Sequence, residues 1–311
     1  MKFPVSETVP LPVIDLSPAL GDPTPQGRAA VTHRLHEALQ ETGFMYVVGH
    51  RLDASLVARA FRSARRFFAR PLAEKLAVAY TDSSANFGFQ GIEGERLDPA
   101  SAPDLKEAFT MRNVLAAQPE STRWPDDEFR TDALALFAAG LSTAHTLLAL
   151  LAESLRLPSG YFMPLHRGEN VTLRFLHYPA NLPSRSNTQL GAGEHTDYGS
   201  ITLLFQQDVG GLEVRDRAGQ WHFAPPLQDA IVINTGDLME RWTNGHFRST
   251  VHRVQPIAGD RDRYSIALFV DPDSAVEVTC IPSCVAPGVP PRYPTITAGE
   301  HLKQKIEATH R

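Results

Sequence analysis

The chain has 311 residues, 42% of them hydrophobic and 21% charged, with a formal net charge of −5. That length and apolar content allow a large buried core, in one large domain or two smaller ones, and exclude a disordered or fibrous chain. No basic block and no basic stripe interleaved with aromatics is present, so neither nucleic acid nor an anionic membrane surface is an expected partner.

The chain opens with MKFPVSETVP, which lacks an apolar signal core, and its two cysteines, Cys280 and Cys284, are too few and too close together for a disulfide framework. Reduced thiols and a cytoplasmic location are expected. "LPVIDLS" (Leu11 to Ser17) reads as a brief strand. From Pro25, Val31, Leu35, Ala38 and Leu39 recur at helical spacing and predict an amphipathic helix ending near Gly43. "FMYVVGH" follows as a strand. Asp53 is a candidate N-cap for a helix with the stripe Val57, Phe61, Ala64 and Phe68, interrupted at Pro71.

Residues 81–130 are rich in Gly, Ser, Asp and Pro and read as loops, with Asn86 to Gly91 a mobile segment. A long helix is predicted around 132–156. Its apolar run, Leu134 to Leu151, is broken by Gly140, Ser142, Thr143, His145 and Thr146, so it reads as a buried helix and not a membrane span. From Val171 onward short strand-like segments alternate with turn signals, which predicts an antiparallel sandwich or barrel, with a jelly roll among the options. Two regions result: a mixed helix, strand and loop region over 1–130, and the long helix with a β-rich core and tail over 131–311.

Chemistry concentrates in the second region. In "GEHTDYG", His195 and Asp197 are two apart, so on a strand they share a face. The pair could be an ion pair, a base with its orienter, or two metal ligands. A third ligand would come from another strand, and His252 in "RSTVHRV" is the best candidate. Two histidines and a carboxylate suit Fe(II) and leave coordination positions open. In "RDRYSIALF", Arg263 and Ser265 are again two apart. A guanidinium on an apolar strand needs an anion: either a ligand carboxylate, matched by its planar fork, or a surface acid such as Asp260 or Asp262.

The order of these motifs, with "LPVIDLS", "TGFMYVVGH", "DLKEAF", "LRFLHYP", "NTGDLMERWTNGHFRSTVHRV" and "RYSIALFV", resembles the iron(II)/2-oxoglutarate-dependent oxygenases, in the branch of isopenicillin N synthase and the plant dioxygenases. The resemblance implies a mainly β fold with supporting helices, a double-stranded β-helix of jelly-roll type. It implies Fe(II) held by His195, Asp197 and His252, and 2-oxoglutarate held through its distal carboxylate by Arg263 and Ser265. Tyr178 in "LHYP" matches the tyrosine that donates a hydrogen bond to the cosubstrate. Leu176 stands where the plant pattern has asparagine, so one polar contact is missing. "NTGD" (Asn234 to Asp237) is assigned a structural turn, and His50, His177, His222 and His246 have no matching ligand position.

The implied reaction is oxidation of a small molecule, hydroxylation by default with desaturation or ring closure as variants, consuming 2-oxoglutarate and O2 and releasing succinate and CO2. Asp197 argues against the halogenating variants, which lack the carboxylate ligand. Alternatives are an iron oxidase of the isopenicillin N synthase type that does not use 2-oxoglutarate, a zinc hydrolase, in which Arg-x-Ser would have no task, and a non-catalytic binding module on the same fold. Phe87, Phe89, Met239, Phe269 and "APGVPPRYP" are candidate walls of the substrate pocket, hinting at an apolar or amphipathic molecule. No motif encodes the substrate's identity or an oligomeric state.

Overall fold

A computed structural model describes residues 11–80, 86–98, 101–112, 114, 123–182, 189–257 and 259–309. The first elements follow their local patterns. After β1 (Val13–Asp15), α1 (Pro25–Glu41) starts on Thr24, whose hydroxyl accepts from the Gly27 amide at 3.0 Å, and it buries Val31, Leu35, Ala38 and Leu39. Gly43 then takes φ +70°, and a Cβ there would lie 2.6 Å from the Arg248 carbonyl oxygen. Glycine alone turns the chain this tightly into β2 (Phe44–Val48). α2 (Ala54–Phe68) starts on Asp53, which accepts from the Ser55 amide at 2.8 Å, and α3 (Leu72–Leu76) follows Pro71.

The stretch expected to be loops contains two strands. β3 (Gly88–Gln90) and β4 (Glu107–Arg112) pair antiparallel, and Asn86 to Gly91, expected to be a mobile segment, holds β3. Phe87 and Phe89 are buried edge-on against Phe109 and Phe67. Turn-rich composition hid these strands because partners distant in the chain hold them, not a local period. α4 (Asp127–Ser154) likewise begins before the predicted residue 132, because Asp126 caps it through the Phe129 amide at 2.7 Å.

The remaining strands are β5 (Val171–Tyr178), β6 (Ala192–His195), β7 (Ile201–Gln206), β8 (Leu212–Arg215), β9 (Trp221–Phe223), β10 (Ile231–Thr235), β11 (His252–Val254), β12 (Arg263–Val270), β13 (Glu277–Val278) and β14 (Ile296–Thr297), with α5 (Asp237–Trp242) and α6 (Ala298–Thr309). An eight-stranded sheet runs β1-β2-β10-β7-β12-β5-β4-β3, and a four-stranded sheet runs β6-β11-β8-β9. Pairing in both is antiparallel except between β1 and β2. Tyr46, Leu204 and Val232 of the large sheet pack on Leu212 and Val214 of the small one, so the two sheets face each other as a jelly roll.

Alternation assigns the two faces of the large sheet. Ile201, Leu203 and Phe205 of β7 and Ile266, Leu268 and Val270 of β12 join the core shared with α1, α2 and α4. Each such side chain, fully buried, stabilises by about 1.5–3 kcal/mol. α4 is long and apolar enough to cross a membrane by length and composition, and here Leu136, Phe137, Leu147, Leu148 and Leu151 are buried in that core. The opposite face carries Thr202 and Leu204 of β7 with Arg263, Ser265, Ala267 and Phe269 of β12 into a cavity between the sheets.

Candidate active site

His195 ends β6 and His252 opens β11, and the two are direct register partners with ring centroids 4.2 Å apart. The expectation that strand alternation aligns His195 with Asp197 needs correction: β6 stops at His195, and Asp197 lies in the loop to β7. Its backbone is held there by the Asp237 amide, which donates to the Asp197 carbonyl at 2.8 Å. One ligand atom from each of His195, Asp197 and His252 lies within 4.8 Å of the others.

Local hydrogen bonds prepare these atoms. His195 Nδ1 lies 2.7 Å from the Gly193 carbonyl and His252 Nδ1 lies 3.1 Å from the Thr250 carbonyl. Carbonyl oxygens only accept, so each Nδ1 carries a proton and each Nε2 is the nitrogen left to face a metal. Asp197 Oδ2 accepts from Thr202 Oγ1 at 2.5 Å and from Asn234 Nδ2 at 2.6 Å, while Oδ1 lies 3.7 Å from His252 Nε2. Burial and the neighbouring His252 push His195 down to about 3. Burial pushes Asp197 up, yet the two imidazoles, Thr202 and Asn234 outweigh it and hold the carboxyl below its usual range. The His195 and Asp197 donors are therefore unprotonated at neutral pH, as a metal requires of its ligands.

At the far end of β12, Arg263 is 1% exposed. Its Nη1 donates to Ser265 Oγ at 3.2 Å, its Nη2 donates to Gln206 Oε1 at 3.1 Å, and its guanidinium lies 4.6 Å from the centre of the Tyr178 ring. Arg263 Nε and Gln206 Nε2 are buried without a hydrogen-bond partner. Asp262, weighed as a partner for the arginine, instead accepts from His177 and from the Ala180 amide. Among the described residues no carboxylate pairs with Arg263, and burial pushes its guanidinium down, with Tyr178 opposing. A buried cation with an orphaned donor calls for an anion from outside the chain. A two-histidine, one-carboxylate donor set beside such a clamp fits Fe(II) and a dicarboxylate.

Both features open on one cavity of about 510 Å³. Its lining is more apolar than polar, in keeping with the expected apolar or amphipathic molecule, but the residues that form it differ from those expected. Phe269 lines it, but Phe87, Phe89 and Met239 belong to the hydrophobic core, and Tyr293 of "APGVPPRYP" donates to Glu240 Oε1 at 2.5 Å on α5. Charged groups stand in their place. Lys106 is buried against Asp104 and lies 3.3 Å from Glu95, and Arg174 donates to Glu95 Oε1 at 2.7 Å. Asp271, directly after β12, lines the cavity as well, and burial pushes its carboxyl up to about 7. Leu176 faces the cavity where the plant pattern has asparagine.

Asn234 was read as part of a structural turn, and the structure places its amide on Asp197. Gln206 escaped notice, although it continues the alternation Thr202, Leu204, Gln206 on β7. The charged residues of 93–106, of which Asp104 and Lys106 are buried, carry no periodic signal. The other histidines have partners of their own: His177 lies between Glu107 and Asp262, His222 on Asp216, and His50 accepts from the Leu52 amide. His246 sits in the turn after α5.

Fold and site together define a jelly-roll protein with a two-histidine, one-carboxylate metal centre and an anion clamp. Residues 166–272 match the family model of the 2OG-Fe(II) oxygenase superfamily, and residues 11–128 match the N-terminal model described as non-haem dioxygenase in morphine synthesis. The chain is 34% identical over 310 residues to the 2-oxoglutarate-Fe(II) type oxidoreductase hxnY of Emericella nidulans, covering 94% of this chain and 88% of that protein. It is 31% identical to a homoarginine-6-hydroxylase of Oryza sativa, covering 95% and 96%. A full-length Neurospora crassa protein, crystallised in complex with alpha-KG and thymine, superposes with TM-score 0.86 at 30% identity, covering 96% of each chain. The chain belongs to the 2OG-Fe(II) oxygenase superfamily. It is an Fe(II)- and 2-oxoglutarate-dependent dioxygenase, and the reading without 2-oxoglutarate gives way to this one.

Proposed function

We propose that this enzyme hydroxylates a small molecule at a C–H bond, with 2-oxoglutarate converted to succinate and CO2, and that His195, Asp197 and His252 hold the iron. When bound, Fe(II) supplies the redox chemistry that couples O2 and 2-oxoglutarate to substrate oxidation. The chain's own residues bind, orient and exclude water. Arg263 and Ser265 take the distal carboxylate of 2-oxoglutarate, Gln206 and Tyr178 brace the guanidinium, and Thr202 with Asn234 fixes which oxygen Asp197 presents. Leu204, Leu176, Val254 and Ala267 give the intervening wall an apolar lining that keeps water from the reacting groups.

The observation that carries this reading is the pairing of the triad with the uncompensated Arg263 across one cavity. Anaerobically purified protein given Fe(II), 2-oxoglutarate and O2 is expected to form succinate slowly alone and faster with a substrate. Protein that never forms succinate under these conditions overturns it.

A further inference from the structure

β12 carries one row of side chains into the cavity: Arg263, Ser265, Ala267, Phe269 and then Asp271 just beyond the strand. The row places a cation at one end and a carboxyl at the other, with Cα positions roughly 26 Å apart if the chain stays extended at about 3.3 Å per residue. The cation has its assigned ligand. The carboxyl has none.

Asp271 is set into its position by the chain around it. The Ser200 amide donates to it, and a Cβ on Gly199 would fall 1.3 Å from Asp271 Oδ1, so that glycine leaves the cradle the carboxyl fills. Among the described residues no cation lies within 4.0 Å of it. On the same wall Arg174 pairs with Glu95 and Lys106 with Asp104, while Arg112, which donates to Asn170, favours the charged form of Asp271 from beyond ion-pair distance. Asp271 is half-buried on the cavity wall, and a carboxyl that a bound molecule would cover is costly there unless a donor on that molecule reaches it. An apolar substrate would bury it further, whereas a substrate carrying a donor would offset the cost.

Building on the function proposed above, we propose that Asp271 selects the substrate by accepting a hydrogen bond from a nitrogen-borne N–H, of amide or of guanidinium type. A site built to receive an N–H rejects the analogue that lacks it much more strongly than a greasy pocket distinguishes one methylene. Phe269, two residues earlier on the same face, supplies apolar contact to the body of the molecule.

The test is a cycle between ligand group and residue, read by anaerobic calorimetry on protein loaded with Mn(II) and 2-oxoglutarate. The amide-type probes are thymine and 1,3-dimethylthymine; the cationic probes are 5-guanidinopentanoate and hexanoate. For wild type, removing the N–H in at least one pair is expected to weaken binding by about 100-fold, and for Asp271→Ala by less than about 3-fold. Asp271→Asn, equal in shape, decides the matter if the alanine variant does not fold. Its amide oxygen still accepts, so it is expected to keep an amide-type preference and to lose a guanidinium-type one. The proposal is overturned if the discrimination persists in both variants, if capped and parent probes bind wild type equally, or if no N–H probe binds. Iron-dependent succinate formation by wild type is scored separately, so failure of the oxygenase reading is told apart from failure of this one.

Discussion

The Asn234 side-chain amide donates to Asp197 Oδ2 at 2.6 Å, and the same oxygen accepts from Thr202 Oγ1 at 2.5 Å. Two donors on one oxygen leave the other facing His252. Asn234 comes from β10 and Thr202 from β7, neighbours in the large sheet with these two residues in direct register. The carboxylate is thus oriented by a sheet to which it does not itself belong. Such outer contacts tune a metal site by about 10–100-fold.

Asn234→Ala is therefore expected to weaken Fe(II) binding by about 10-fold or more while the protein remains folded. Thr202→Val should act in the same direction. Anaerobic titration calorimetry, with thermal unfolding as the control, measures both. Unchanged metal affinity in the double variant removes the orienting role.

Arg263→Ala is expected to raise the 2-oxoglutarate concentration needed for half-maximal succinate formation by about 30-fold or more, from the roughly 2–5 kcal/mol lost when one partner of a buried charge pair is removed. Arg263→Lys should not restore it, because an ammonium cannot reproduce the planar fork that meets Ser265 and Gln206. Full rescue by lysine would show that only charge matters at this position.

His166 links the structure to pH. It is fully buried, with Nδ1 at 2.8 Å from the Phe162 carbonyl and Nε2 at 2.9 Å from Ser200 Oγ, and burial pushes it down to about 4. The unfolded chain therefore binds its proton first. The stability due to neutral His166 is intact above its unfolded value near 6.5 and is lost as pH falls toward about 4, at most about 3 kcal/mol in all. Urea unfolding at pH 7 and pH 5 should show this loss in wild type and a smaller one in His166→Gln.

Lys106→Met is expected to destabilise the protein by about 3–5 kcal/mol, because Asp104 and Glu95 would be left as buried carboxylates short of a cation. Lys106 is 4% exposed, so water cannot replace the ammonium. Denaturant unfolding measures the loss, and a change below about 1 kcal/mol would mean that the two acids take up protons at little cost.

Local chemistry made much of the fold legible. α1 and α2 follow from apolar residues at helical spacing and from side-chain caps at Thr24 and Asp53, which depend only on nearby residues. The inward row on β12 follows from alternation alone, so Arg263 and Ser265 share a face wherever the strand lies. β3 and β4 were hidden because Phe87 and Phe89 are buried by Phe109 and Phe67, partners that no window of adjacent residues contains. The charged part of the cavity wall was hidden for the same reason: Glu95 meets Arg174 across 79 positions.

Residue types and their order by themselves determined the ligand chemistry, since imidazole, carboxylate and guanidinium keep their donor character in any fold. Which atoms face one another was decided only by the tertiary structure. His195 and His252 become neighbours through the β6–β11 ladder, Asp197 reaches them from beyond its strand, and Asn234 selects the oxygen it presents. The physical reason is range: side-chain periodicity and capping act over a few residues, whereas a binding site is made by backbone pairing between segments whose separation leaves no local trace.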